Sequence, residues 1–335
     1  MSRARPTHLL AVASPLDHLS HCVHPELLAV EALFDRELAS DLPCVSDLLR
    51  HVGRFRGKML RPVLLLLSGK ACGKLLDAHG VLATVVEMVH MATLVHDDVL
   101  DEAELRRKGA TINHLRGNEA AVLLGDYLIS HSFHLCSSLD SQFASRVIGR
   151  TTNQVCEGEL LQIHNRNNLD LDEPTYLQIV TQKTAVLCAA CCMLGASFAG
   201  ADEATVQRMH LYGLSLGRAF QIQDDILDLV GRESTVGKTL GLDVQKGELT
   251  LPIIHFLGTA PREHRKLLRS LLRGREIDKI ERIRDLILPS DSVAYATNQA
   301  RQLIDRARSC LEALSDSEAK TALDRLADFV VTRRM

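Results

Sequence analysis

Two copies of one acidic pentapeptide hold the residues in this chain best suited to chemistry: Asp97-Asp98-Val99-Leu100-Asp101 and Asp224-Asp225-Ile226-Leu227-Asp228. On a helix the first and last Asp of each copy stand one turn apart on a shared face, with the second Asp to one side. Both copies lie in apolar runs, where an ionised carboxylate is costly unless a counter-charge meets it. Six carboxylates in two matched sets suit several hard divalent cations, with a polyanionic ligand between them. One such pentad alone is more often a solvated helix face. The repeated spacing, the apolar setting and the cations nearby reverse that reading.

Those cations are numerous. Arg106 and Arg107 follow the first pentad by just over one turn, and paired guanidinium groups grip phosphate oxygens through forked hydrogen bonds. Upstream, Gly53-Arg54-Phe55-Arg56-Gly57-Lys58-Met59-Leu60-Arg61-Pro62 puts Lys58 and Arg61 at the mouth of a predicted helix, where backbone N–H groups and the dipole favour an anion. By itself that stretch is a basic surface loop. Lys183 and Thr184 interrupt an apolar helix, and Lys238 follows the second pentad in a Gly-rich turn. Carboxylates would repel a phosphate, so divalent cations must lie between them, Mg²⁺ being the expected ion. The glycines form neither a dinucleotide nor a Walker cradle, and the sequence identifies no Ser–His or Cys–His nucleophile.

Helices must position these groups. Apolar residues recur at spacings of three and four almost throughout, predicting helices over about 25–39, 61–76, 78–104, 118–138, 141–165, 173–199, 203–231, 250–258, 262–273, 290–314 and 317–332. The expected architecture is all-α: a single-domain bundle of long helices around a deep central cavity. Residues 1–22 form a loose N-terminal extension and 23–335 the domain. Within the apolar stretch 81–100 the polar members Glu87, His90, Thr93, Asp97 and Asp101 step by 3, 3, 4 and 4, an arc of about 120°. His90 on that stripe is placed to bond a phosphate; His96 falls off it and reads as structural. In the second acidic helix Gln221, Asp224 and Asp228 share a face that Gly213 and Gly217 continue. Those glycines either leave room beneath the carboxylates or let two helices approach closely.

Composition excludes several classes. The 335 residues carry a net charge of -3, 4% aromatics and no Trp, which leaves no basic, aromatic surface for nucleic acid. The nine Cys are odd in number and lack framework spacing; Cys188, Cys191 and Cys192 read as small core residues in a reducing cytoplasm. Uninterrupted apolar segments fall short of a transmembrane span, and the apolar run 9–13 is too short for a signal peptide.

Taken together these motifs resemble the trans-isoprenyl diphosphate synthases, in particular the bacterial polyprenyl diphosphate synthases. The ordered set is Gly57-Lys58-x-x-Arg61-Pro62, His90 seven residues before Asp97, the first pentad with Arg106-Arg107, Lys183-Thr184, Phe220-Gln221, the second pentad and Gly237-Lys238. It extends from about Gly53 to Ala327-Asp328-Phe329-Val330-Val331. The resemblance implies the isoprenoid synthase fold, a homodimer, and Asp motifs facing each other across a cavity. Asp97, Asp101 and Asp224 would bind Mg²⁺, about three ions per site, with Asp98, Asp225 and Asp228 in support. Arg106, Lys183 and Lys238 would hold an allylic diphosphate. Lys58, Arg61, His90 and Arg107 would hold isopentenyl diphosphate, and Thr184 and Gln221 would lie near the developing cation.

The implied reaction is head-to-tail (1'-4) prenyl transfer. Cations neutralise the departing diphosphate, the allylic C–O bond ionises in a dry pocket, and the double bond of isopentenyl diphosphate attacks. The released diphosphate then takes the proton, so no side-chain base is needed. In the family the residue five before the first Asp gates chain growth; here it is Ala92 beside Thr93, with Met88 and Val89 one turn deeper. This implies a long all-trans product of roughly six or more units, one helix turn and one isoprene unit both being roughly 5 Å. The alternatives are a farnesyl or geranylgeranyl diphosphate synthase, a class I terpene cyclase and a non-catalytic prenyltransferase subunit. One departure stands out. Where the family has Gly-Lys-x-Thr-Leu-Pro, this chain reads Gly247-Glu248-Leu249-Thr250-Leu251-Pro252, with Lys246 just before it.

Overall fold

A computed structural model describes residues 19–54, 57–107, 109–231, 241–274 and 276–332. A 3-10 turn at His21–Val23 leads into α1 (His24–Glu37), α2 (Pro43–Gly53), α3 (Leu60–Cys72) and α4 (Asp77–Leu100). A short antiparallel hairpin follows, β1 (Leu105–Arg106) and β2 (Gly109–Ala110). Then come α5 (Ile112–Arg116), α6 (Asn118–Ser137), α7 (Gln142–His164) and α8 (Glu173–Phe198), with a wide π turn at Thr181–Ala185 inside α8. The chain continues through α9 (Glu203–Val230), α10 (Leu242–Gln245), α11 (Leu251–Thr259), α12 (Arg262–Arg273), α13 (Lys279–Ile287), α14 (Ser292–Leu311) and α15 (Glu318–Thr332).

The apolar periodicity sets the packing order. Neighbouring helices run α6, α4, α3, α8, α9, α14, each packed extensively on the next. In α3 every residue from Pro62 to Gly69 is buried, as expected of a helix apolar on all sides. Side-chain caps begin the long helices: Asp172 accepts the Thr175 N–H at 2.9 Å before α8, and Asp202 the Thr205 N–H at 2.6 Å before α9. The acid-bearing helices α4 and α9 are not among the strongly packed pairs; α8 touches both.

Gly213 and Gly217 serve that packing. A Cβ on Gly213 would lie 2.5 Å from the Cys188 carbonyl oxygen, and one on Gly217 would lie 2.6 Å from the Ala185 Cα. They bring α9 onto α8 and leave no open space beneath the carboxylates.

Several sequence expectations need correction. The helix expected over 78–104 ends at Leu100, because the chain turns at Asp101 and Glu102 takes a φ of +50°. The helices α2, α5, α10 and α13 and the hairpin form where the spacing predicts no element; α5 and α10 are too short to show a period. Order also begins before residue 23, since Ser20 is buried and His21–Val23 form a turn; residues 1–18 lie outside the described residues. Two helices, Asp77–Leu100 and Glu173–Phe198, are long and apolar enough to cross a membrane by length and composition, contrary to the expectation that apolar segments fall short. Both are mostly buried in the bundle, which explains their composition.

Candidate active site

At the end of α4 each carboxylate of the first pentad meets a different cation. Asp98 is buried and accepts from Arg106 at 2.8 Å through both Nε and Nη2. The hairpin makes this contact possible, since Arg106 pairs with Gly109 and its side chain turns back toward α4. Burial pushes the Asp98 carboxyl up and Arg106 pulls it back. Asp97 is raised to about 6, first by burial; Lys183 opposes the shift, while Glu159 and Asp101 add to it. Asp101 takes the Lys246 Nζ at 2.8 Å and the Arg166 guanidinium at 3.6 Å.

The second pentad is held from below. Asp225 is buried and raised to about 7, by burial before all else, and accepts from the Tyr176 hydroxyl at 2.6 Å and Gln221 Nε2 at 2.8 Å. Thr184 donates to Gln221 Oε1 at 2.9 Å, which extends the chain Thr184–Gln221–Asp225–Tyr176 from α8 to α9 and back. Asp228 accepts the backbone N–H groups of Leu242 at 3.3 Å and Asp243 at 3.2 Å, while burial raises its carboxyl. Asp224 is half-buried one turn earlier.

Between the pentads stands Lys183, whose Nζ is 2.7 Å from Glu159. Burial works against its charge, but Asp97, Glu159 and Glu248 outweigh that and raise its pKa. Lys183 and Thr184 lie in the π turn, seated against α7 where Gly158 has no side chain: a Cβ there would lie 2.6 Å from the Lys183 nitrogen. A cleft of about 130 Å³ opens here, lined by Lys183, Thr184, Gln221, Asp225, Lys246 and Glu248 among others.

A second group of cations gathers around His90. Burial, then Arg61, Arg107 and Arg106, hold its pKa well below the usual value, so the imidazole is neutral. Arg107 lies against Gly57, where a Cβ would come within 2.7 Å of its Nη2. Burial, Arg106 and Arg61 lower the Arg107 pKa, against the pull of Glu87. The Arg61 Nε is buried without a hydrogen-bond partner. Lys58 is exposed beside Gly57. Cations this close to one another suit a second polyanion.

Most residues singled out from sequence thus come together. Gly237 and Lys238 lie outside the described residues. Met88, Val89 and Ala92 are buried on α4, and Thr93 bonds the His90 carbonyl at 2.8 Å; none of them lines the cleft. His96 packs against Gly125, contacts the Val122 carbonyl at 3.1 Å and lies 3.5 Å from Asp126. Tyr176, Glu159, Arg166 and Asp243 were not singled out. Only Asp243 carried a usable signal, an acid 15 residues after Asp228 and three before Lys246.

The donor set fits divalent cations that a ligand helps to bind. Among the described residues no three His, Cys, Asp or Glu side chains form a ready-made metal cage. Mg²⁺ binds through one or two carboxylates and takes its remaining ligands from water and phosphate oxygens, and a turn-spaced Asp pair provides that.

Fold and site are those of an all-α bundle with two adjacent groups of cationic side chains, a set suited to two anionic ligands. Residues 43–287 match the family model described as polyprenyl synthetase. The octaprenyl diphosphate synthase of Haemophilus influenzae is 32% identical over 319 residues, 95% of this chain and 97% of that protein. A decaprenyl diphosphate synthase from Rhodobacter capsulatus superposes with a TM-score of 0.90 at 34% identity, covering 95% of this chain and 98% of that one. The polyprenyl synthase of Caulobacter crescentus CB15, described as complexed with calcium and isoprenyl diphosphate, gives 0.89 at 33%, covering 97% and 100%. The chain belongs to the polyprenyl synthetase family, and it is a prenyltransferase.

Proposed function

We propose that this chain condenses isopentenyl diphosphate with an allylic diphosphate, head to tail, to give a long-chain all-trans polyprenyl diphosphate. The observation that carries this reading is the placement of Lys183 and Thr184, reaching Asp97 on one side and Gln221 on the other, beside a separate cation group at Arg61, His90 and Arg107. The first place suits a diphosphate that leaves, the second one that stays.

Asp97, Asp101 and Asp224 would hold Mg²⁺, and Asp98, Asp225 and Asp228 keep the ligands in place through Arg106, Tyr176, Gln221 and the α10 backbone. When bound, the metal supplies charge neutralisation of the leaving diphosphate. Lys183 adds a fixed positive charge to the same leaving group, and the Thr184–Gln221 pair presents oxygen dipoles that favour nearby positive charge. A neutral His90 donates one hydrogen bond without repelling the arginines around it. Arg61 and Arg107, with Lys58 at the rim, hold isopentenyl diphosphate. Ala92, small and buried on α4, would give a growing chain room to pass that helix, with Met88 and Val89 one turn deeper. The domain begins near residue 20 and works in the cytoplasm as a homodimer; exposed Leu115, Val122, Leu123 and Phe133 on α5 and α6 support a helix-to-helix interface.

The test is incubation of the purified chain with Mg²⁺, labelled isopentenyl diphosphate and a panel of allylic primers, followed by sizing of the dephosphorylated lipids. Products of roughly six or more units are expected, on the same count of about 5 Å per helix turn. Products that stop at farnesyl or geranylgeranyl overturn the chain length. Elongation that requires a second protein overturns the homodimer.

A further inference from the structure

Two loops meet over the first acidic cluster. One joins α7 to α8 and carries Arg166 and Asn167; the other runs from α10 to α11 and carries Lys246, Gly247 and Glu248. Their backbones are joined where the Asn167 N–H donates to the Gly247 carbonyl at 2.7 Å. Gly247 has a φ of +75°, and a Cβ there would lie 2.2 Å from Asn167 Oδ1, so any side chain would be strained and would push Asn167 aside. Arg166 Nε donates to Glu248 Oε1 at 3.1 Å. Its Nη2 is buried without a hydrogen-bond partner, 3.6 Å from Asp101 Oδ1. An unused, buried guanidinium donor pointing into a carboxylate site awaits a further oxygen.

From this arrangement we infer that Lys246 is an allylic diphosphate-binding residue, and that the Arg166–Glu248 pair is the positioning device that aims it. Lys246 Nζ is 2.8 Å from Asp101, and its charge also reaches Asp98 and, on the other pentad, Asp228. Glu248, standing where the family has lysine, would otherwise add a negative charge facing Asp243 and the leaving group. Arg166 cancels that charge and turns the acid into an anchor for the loop. The positive charge has moved two residues back along the chain, to the far side of the Gly247 turn.

This inference rests on the proposed reaction, and its test separates the two. Wild type, Lys246→Met, Lys246→Arg, Arg166→Met and the double variant Arg166→Met/Glu248→Gln are titrated calorimetrically in Mg²⁺ with a non-ionising allylic thiolodiphosphate, and separately with isopentenyl diphosphate. Melting curves check that each is folded. Lys246→Met is expected to weaken the allylic analogue about tenfold or more, the loss of one charge-assisted hydrogen bond, and to leave isopentenyl diphosphate unchanged. Lys246→Arg retains most of the binding. Arg166→Met weakens the analogue, and adding Glu248→Gln restores part of the loss. Wild-type affinity in Lys246→Met, or a defect confined to isopentenyl diphosphate, overturns the inference while leaving the reaction intact. A wild-type chain that binds neither ligand overturns both.

Discussion

The Tyr176 hydroxyl donates to Asp225 Oδ2 across 2.6 Å inside the bundle, linking the first turn of α8 to the middle of the second acidic pentad. Asp225 has one other donor described, Gln221. Tyr176→Phe should therefore cost about 1–3 kcal/mol, the loss from an acceptor left unsatisfied in the interior. It should also weaken Mg²⁺ binding, since Asp225 would be harder to ionise. Chemical denaturation checks the first expectation and metal titration the second; an unchanged midpoint and affinity would remove Tyr176 from the site.

Arg107 rests on Gly57 and shares the neighbourhood of His90 with Arg61. Arg107→Met should raise KM for isopentenyl diphosphate at least tenfold, on the scale of one charged hydrogen bond, with a much smaller effect on KM for the allylic substrate. Steady-state kinetics with each substrate varied in turn gives the answer. Equal effects on both would mean that the two cation groups are one.

The contact of α9 with α8 tolerates no side chain at Gly217. Gly217→Val places its Cβ within 3 Å of Ala185 and must separate the helices, at a cost of 3 kcal/mol or about that. Thermal melting should show a large fall, and the variant should lose the Thr184–Gln221 bond along with activity. A stable, active Gly217→Val would show that the helices slide apart freely.

The acids set an unusual pH dependence. Asp97 at about 6 and Asp225 at about 7 are raised in the folded chain, so their contribution to stability is complete below the ordinary carboxylate range and lost as pH rises through 6 to 7. Asp228 and Asp243 shift in the same direction. His90 opposes them: its folded pKa is lowered, so the unfolded chain takes up its proton first as pH falls through its ordinary value. With several acids against one imidazole, the metal-free chain should melt higher at pH 5.5 than at pH 8, about the range these pKa values span. Mg²⁺ binds the ionised acids, so the rise in Tm that it produces should be larger at the alkaline end. A larger rise at the acid end would contradict the assignment of these carboxylates as ligands.

The helices and most of the site were legible in the sequence because both depend on spacing within one helix. The stripe Glu87, His90, Thr93, Asp97, Asp101 needs only the period of an α-helix, and α4 supplies it. Relations between elements were less accessible. Tyr176 lies 49 residues from Asp225, and nothing in its own neighbourhood marks it as a partner. Arg166 and Glu248 are 82 residues apart, and Glu248 alone reads as a lost lysine. Gly213 and Gly217 were ambiguous for the same reason, because the helix that covers them comes from another part of the chain. The hairpin that turns Arg106 back to Asp98 is two residues per strand, too short for alternation to be visible.

Because the turn Thr181–Ala185 holds one residue more than an α-helix needs, the two ends of α8 are phased independently. Upstream, Tyr176 is set by Asp225; downstream, Ala185 and Cys188 are set by the glycines of α9. Removing one residue within the turn would let it close to an ordinary α-helix with both ends still in phase, whereas removing one outside it would rotate one end against the other by about 100°. A deletion inside the turn would spare the packing of α8 and take away the widened backbone that carries Lys183 and Thr184 to the cleft, so its harm would fall on the site.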